Sequence, residues 1–245
     1  IKECCAVHNI AVTSTFTGAF TRVNHLAHPD RDIRLFWIDW FKRYVDISVE
    51  LGSPSMGSHF GIFTANDNND PVRRAERRAQ NIEGWHDIGH YAKGKGLAFL
   101  SWEPMSISRE QGENLEECRK LQEDVNISSS IPFKICLDVD HGDITSSNPD
   151  DTNPYVWLKK FAKDSPLIHL KQSSHDKGGH WPFTAEHNKN GRIEPEKVVD
   201  LLQKENLIAH WRETRPFFSE DAFEACYSLS RIKSAATCRS PNLLM

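Results

Sequence analysis

Three short apolar runs, each closing on a side chain that can bind a divalent metal, constrain this chain most. They are Gly96-Leu-Ala-Phe-Leu-Ser-Trp-Glu-Pro, Phe133-Lys-Ile-Cys-Leu-Asp-Val-Asp-His and Leu167-Ile-His-Leu-Lys, and they end on Glu103, Asp138 and His169. Strands of a parallel sheet are covered on both faces, so they read as near-continuous apolar runs. In a closed barrel of such strands the C-terminal ends share one mouth, where the chemistry collects. Glu, Asp and His at three successive strand ends therefore predict a divalent-metal site at the mouth of a βα barrel.

The rest of the chain alternates strand and helix patterns in the same way. Strands are predicted near residues 10–15, 54–60, 97–102, 133–138, 167–171 and 207–212. Apolar residues recur at helical spacing from Arg31 to Leu51 (Ile33, Trp37, Trp40, Phe41, Val45), with Gly52 as a C-cap. The aromatics between Phe36 and Phe41 are read as packing against the sheet. Pro71 opens a charged helix to about Lys93, and further helices are predicted at 110–123, 154–163, 195–204 and 220–234. The run Arg73, Arg74, Arg77 and Arg78 alternates with Glu76 and Glu83 and reads as a solvated helix face.

These are six βα units, whereas a closed eight-stranded barrel needs two more. The start of the chain, without Met, on what reads as the tail of a helix, points to two missing N-terminal units. A six-stranded open sheet is the alternative. The domain reading is one partial (β/α)8 TIM-barrel domain over 1–245, with 214–245 as its C-terminal helical segment.

The chain has 245 residues, with 30 Lys plus Arg against 34 Asp plus Glu. The resulting net charge of −4 lacks the basic footprint of a nucleic-acid binder. No apolar segment approaches the roughly 20 residues of a membrane span. No signal-peptide core opens the chain, so a cytoplasmic location is expected. The six cysteines form no CxxC pair and read as reduced thiols, with Cys136 as a small buried hydrophobe within its strand.

These motifs resemble the sugar isomerase/epimerase superfamily with the xylose-isomerase-like TIM barrel, which includes the ketose 3-epimerases. The resemblance covers about residues 9 to 215. It implies a divalent cation held by Glu103, Asp138, His169 and Glu213, with Glu213 taken from His210-Trp-Arg-Glu-Thr. Mn²⁺ is the expected ion, and Mg²⁺, Co²⁺ and Zn²⁺ suit the same donors. Two departures stand out. The family often has Asp after its His-x-Lys, where this chain has Gln172. Glu213 fits only with a one-residue slip, which turns a strand residue to the other face, so His210 is a rival fourth ligand. Trp102-Glu-Pro-Met-Ser-Ile-Ser-Arg and His180-Trp-Pro-Phe-Thr are also similar to tetrulose-phosphate 3-epimerases of erythritol breakdown.

Several residues have open readings. His141 can contact substrate oxygen, ligate a second metal or cap its loop. Arg109, with Ser106 and Ser108, can present donors to a phosphate or simply begin a surface helix. Lys171 shares the inward face of its strand with His169. His175, His180 and Trp181 lie in a loop from Ser173 to Gly191, long enough to serve as an active-site lid, and His187 reads as surface. Asp140 and Asp143 read as loop carboxylates.

The implied reaction is epimerisation or isomerisation of a tetrulose or pentulose phosphate through a metal-stabilised enediolate. Glu103 and Glu213 would be the acid–base pair, one on each face of the sugar. His141, Lys171, Arg109, His175 and His180 would bind substrate. The expected partner is a small sugar phosphate, with no nucleic acid or membrane, and self-association is left open. Rival readings are an endonuclease IV-like AP endonuclease, which needs three metal ions, and a truncated, non-catalytic sugar-binding barrel.

Overall fold

A computed structural model of the chain describes residues 1–174 and 179–205. Its strands are β1 (Thr15–Phe16), β2 (Ser55–His59), β3 (Phe99–Glu103), β4 (Phe133–Asp138) and β5 (Leu167–His169). They stand in sequence order in one sheet, every neighbouring pair parallel. The helices are α1 (Lys2–Val7), α2 (Arg31–Glu50), α3 (Ala65–Asn68), α4 (Pro71–Gly94), α5 (Leu115–Asn126), α6 (Pro154–Phe161), α7 (Ala185–Asn188) and α8 (Pro195–Lys204). Consecutive parallel strands joined through helices form the wall of a (β/α) barrel.

Strand register explains which side chains meet. Gly57 pairs with Ser101, and His59 with Glu103; Asp138 pairs with His169. Alternate residues share a face, so these line the inner side of the wall. The opposite face carries Met56, Leu100, Trp102, Phe133, Ile135 and Leu137. They join Trp37, Phe41 and Val45 of α2, Trp85 and Ile88 of α4, Leu121 of α5 and Trp157 of α6 in one buried cluster. The apolar core therefore lies between sheet and helices, leaving the inner face to polar groups.

Local signals set the helix ends. Asp30 accepts a hydrogen bond from the Asp32 amide at the start of α2, and Asp70 accepts from Val72 and Arg73 at the start of α4. Pro71 and Pro154 occupy first-turn positions, where a missing N–H costs nothing. Gly96 takes φ +93° in the turn between α4 and β3, a conformation that favours glycine.

Four expectations need correction. β1 is only Thr15–Phe16, not 10–15: its ladder reaches just Met56 and Gly57, and Ile10 is 57% exposed. α5 begins at Leu115 rather than 110, because Gln111 turns the chain at φ +71° and Asn114 caps the helix through the Glu117 amide. Phe36 is 59% exposed, while Trp37 and Phe41 are buried in the core and Trp40 packs against it partly buried. The stretch from Ser173 to Gly191 also carries structure of its own, namely α7 and the antiparallel bridges Gln172–Trp181 and Ser174–Gly191. The 207–212 strand and the 214–245 helical segment lie outside the described residues.

The arginine run is not a solvated face either. Arg73 and Arg77 pair with the fully buried Asp67 carboxylate, at 2.8 and 3.8 Å, and Arg74 and Arg78 pair with Glu117 of α5. The spacing that looks like solvated charge instead ties α4 to the β2 loop and to α5. Burial of Asp67 favours its neutral form, but Thr64, Arg73 and Arg77 outweigh it and hold the carboxyl below its ordinary range. A depressed folded pKa contributes stability that is present above the unfolded value of about 3.9 and is lost as pH falls through the folded value. Asp67→Asn is therefore expected to destabilise the protein near neutral pH by about 1–3 kcal/mol. The gap to wild type should close in strong acid. Urea titrations across pH test this, and a gap that persists unchanged well below pH ~3 would exclude the ionised form as its source.

Candidate metal and active centre

Glu103, the last residue of β3, is the hub of the mouth. Its Oε1 lies 3.3 Å from His169 Nδ1 and 3.4 Å from His141 Nδ1, and its Oε2 lies 3.6 Å from His59 Nε2. Asp138 closes β4, where its Oδ2 is 3.1 Å from Lys171 Nζ and 3.4 Å from His141 Nε2. Its Oδ1 accepts from the Asp140 amide, which fixes the turn leading to His141. Both carboxylates are buried, though they stand beside three imidazoles and an ammonium.

The His141 ring shows why this set suits a cation. Its Nδ1 lies 3.0 Å from the Pro104 carbonyl, which can only accept, so Nδ1 carries the proton. In the neutral ring, Nε2 then presents a lone pair to Asp138 Oδ2, another acceptor. A divalent ion between them satisfies both. Ligand atoms of Glu103, Asp138 and His141 lie within 4.8 Å of one another, as do those of Glu103, Cys136 and His169. Carboxylate oxygens with imidazole nitrogens match Mn²⁺, Co²⁺, Zn²⁺ or Mg²⁺.

Electrostatics follow from burial. The Glu103 carboxylate, accepting from Nδ1, holds His169 above its ordinary pKa, with burial acting in the opposite sense. Burial is the larger influence on His59 and pushes it down despite Glu103. Burial also pushes the Cys136 thiol well up, helped by Glu103 and Asp138. The Phe16 ring stands edge-on to both His59 and His169, at 5.6 and 6.0 Å, and forms an apolar wall beside the polar group.

The structure thus brings together Glu103, Asp138, His141, His169 and Lys171. It places other sequence candidates elsewhere. Arg109 donates from Nε to the Phe63 carbonyl, and its own carbonyl accepts from the Phe63 amide, so it ties the β2 and β3 loops together. Ser108 accepts from Asn68 in the same junction. His180 is exposed, and His187 stacks on Trp181 at 5.5 Å rather than standing free on the surface. His175, His210 and Glu213 lie outside the described residues.

Two residues escaped the sequence reading. His59 ends β2 level with Glu103, so the rule that found the other strand ends applies to it. The signal was faint because Ser55-Met-Gly-Ser-His is not an apolar run. Cys136, read as an inert hydrophobe, faces His169 on the inner side of the wall, with Sγ 3.5 Å from Nε2.

The loops that frame the centre are fixed from below. Asp140 pairs with Arg192 at 3.1 Å, joining the β4 loop to the segment before α8. The amide of Gln172 is fully buried and saturated: Nε2 donates to Asn188 Oδ1 and the Ile193 carbonyl, and Oε1 accepts from the Ser173 and Ile193 amides. Where the family pattern often has Asp, this chain uses Gln to close the base of the loop after β5.

Comparison with known proteins gives a consistent picture. The sequence profile of the xylose isomerase-like TIM barrel family matches residues 1–216. A D-erythrulose 1-phosphate 3-epimerase from Brucella abortus (strain 2308) is 49% identical over 200 residues, covering 81% of this chain. The chain spans 64% of that relative's length. Among solved structures, a Rhodospirillum rubrum ATCC 11170 protein assigned as a xylose isomerase superposes with a TM-score of 0.75 at 24% identity, over 84% of this chain and 69% of that one. A D-psicose 3-epimerase crystallised with D-fructose superposes with a TM-score of 0.58 at 17% identity, over 84% of this chain and 64% of that one. At these identities the two structures bear on the fold alone. No helix among the described residues is long and apolar enough to cross a membrane.

Proposed function

This chain belongs to the xylose isomerase-like TIM barrel family, and from that premise we propose that it is a divalent-metal-dependent 3-epimerase of a small ketose phosphate, with a tetrulose phosphate as first candidate. The observation that carries the reading is the pair of buried carboxylates, Glu103 and Asp138, held with His59, His141, His169 and Lys171 at the C-terminal ends of parallel strands. The name of the Brucella relative supports the substrate class.

The difficult step is removal of a proton from the carbon beside a ketone. Glu103, Asp138 and the imidazoles of His141 and His169 would hold the cation, with Glu213 completing the set. When bound, the ion supplies Lewis acidity at the sugar's carbonyl oxygen. Glu103, whose Oε1 and Oε2 lie against His169 and His59, takes the proton on one face of the sugar. Glu213 returns a proton on the other. Lys171, 3.1 Å from Asp138, places an ammonium where the oxygen charge develops. Phe16 shields the His59 side from water.

The test is turnover of tetrulose and pentulose phosphates in D₂O by Mn²⁺-loaded protein. The expected product is the 3-epimer with deuterium at C3. An aldose labelled at C2 instead assigns isomerisation, and no turnover of any of these sugars with Mn²⁺, Mg²⁺, Co²⁺ or Zn²⁺ refutes the reading.

A further inference from the structure

Below the oxygen-rich group formed by Glu103, Asp138 and His141 lies a second set of donors, Glu103, Cys136 and His169, of which the epimerase reading leaves Cys136 unused. Cys136 stands two residues before Asp138 on β4, on the same face of the strand. Trp102 pairs with Ile135, so Cys136 is level with Glu103 across the β3–β4 ladder. Its Sγ is 3.8 Å from His169 Nδ1, and that same nitrogen is 3.3 Å from Glu103 Oε1. Donors around a tetrahedral ion, with Zn–S about 2.3 Å and Zn–N about 2.0–2.1 Å, stand roughly 3.3–3.6 Å apart. Two of the three donor pairs are already close to that spacing, and all three donor atoms lie within 4.8 Å of one another.

A buried cysteine is usually a small apolar filler. Cys118 fits that description, packed in the cluster between sheet and helices, whereas Cys136 is outside that cluster and faces acidic and imidazole groups. A valine would fill the same space without adding a donor. Among the described residues the Cys136 sulfur is the one soft ligand in the centre, and soft ligands select different ions from carboxylates.

We propose that Glu103, Cys136 and His169 form a second cation position, selective for thiophilic divalent ions such as zinc or cadmium, which shares Glu103 and His169 with the catalytic position. The inference rests on the reading above in taking Glu103 and His169 as ligands. Binding replaces the S–H bond with an S–metal bond and releases the thiol proton to solvent, while the proton on His169 Nδ1 passes to Nε2 or to solvent so that Nδ1 can ligate, and no oxidant or reductant is required. Because Glu103 and His169 serve both positions, an ion held by Cys136 draws both from the upper one. Thiophilic ions should then compete with Mn²⁺ rather than substitute for it.

The experiment uses the full chain with Cys4, Cys5, Cys226 and Cys238 replaced by Ser, leaving Cys118 and Cys136. Titration with cadmium chloride should produce one equivalent of the ultraviolet cadmium–thiolate charge-transfer band. Cys136→Ser in that background should lose the band and weaken cadmium binding by at least about 10–100-fold, the loss seen even for outer partners of a metal. Its manganese affinity should fall by much less than its cadmium affinity, because Cys136 touches the manganese site only through His169. Absence of the band from the background protein, or its survival in the Cys136→Ser protein, overturns the proposal. If that variant does not fold, X-ray absorption at the cadmium edge of the background protein decides: one sulfur neighbour supports the site, and a shell of oxygen and nitrogen alone refutes it. The readout needs no sugar. Sugar turnover without a cadmium–sulfur bond would sink this inference alone, and the bond without turnover would sink only the epimerase reading.

Discussion

Glu103→Gln is expected to lower turnover by about 10²–10⁴-fold, the usual contribution of one positioned acid–base group. The amide keeps the size and hydrogen-bonding reach of the side chain but cannot carry the proton. It also removes one negative charge from a buried cluster that meets His59, His141 and His169 within 3.6 Å. Metal affinity should therefore fall together with rate, and the two losses need separating. Steady-state kinetics at saturating Mn²⁺, with metal content measured on the same samples, does so. A Glu103→Gln protein that holds its ion and turns over near the wild-type rate would remove Glu103 from the proton transfer. Among the described residues, His59, His141 and His169, the imidazoles in contact with that carboxylate, would then be the next groups to test.

Trp85→Ala is expected to cost about 3–5 kcal/mol of folding stability, the range for truncating a large buried aromatic. Trp85 is essentially fully buried in α4, with its ring centre 4.9 Å from Phe41, 6.0 Å from Phe60 and 6.3 Å from Phe133. Its indole N–H donates to the Phe60 carbonyl at 2.7 Å, one residue beyond His59. Truncation thus opens a cavity and leaves a buried carbonyl unpaired at the end of β2. Trp85→Phe retains an aromatic ring but still loses the donor, which should cost about 1–3 kcal/mol for the orphaned acceptor. Urea unfolding of the three proteins measures both terms. A Trp85→Ala protein within about 1 kcal/mol of wild type would show that the cluster collapses around the gap and that Trp85 is not a keystone of the core.

Asp67, Trp85 and Glu103 mark three levels of the molecule. Each is a buried polar or amphipathic group near β2 and β3; Trp85 and Glu103 join elements far apart in sequence, whereas Asp67 ties α3 to the first turns of α4. The arginines of α4 reach back to Asp67 and forward to Glu117, so the charge network runs along the outside of the segment of wall whose inner side carries His59 and Glu103.

Much of the wall was legible because its signals are local. An apolar run five or six residues long, bounded by turn signals, reads as a buried strand, and β3 and β4 follow from that pattern, whereas β5 is only the half-buried Leu167–His169. Proline at a first turn and glycine after a last turn mark helix ends for reasons contained within a few residues. The strand-end rule also placed Glu103, Asp138 and His169 at one end of the sheet, because parallel connection brings every C-terminal end to the same side. The family resemblance supplied the reaction class, which no spacing of residues can give.

What only the tertiary structure decided depends on register and on contacts between distant segments. β1 is two residues because its pairing partner, not its composition, sets its length. Glu103 meets His59 and Cys136 because ladders set them level across neighbouring strands, and a shift of one residue would have turned any of them to the other face. The arginine run became a partly buried ion network, anchored on the buried Asp67 carboxylate, only when α5 and the β2 loop were laid against α4. Which imidazole faces which carboxylate is fixed by the turn after Asp138, where the Pro104 carbonyl, 37 residues away in sequence, holds the His141 ring. The sequence by itself determined the kinds of donor and the end of the barrel they occupy; their pairing is a property of the assembled wall, because hydrogen bonds and ion pairs at 3 Å depend on register that no local pattern encodes.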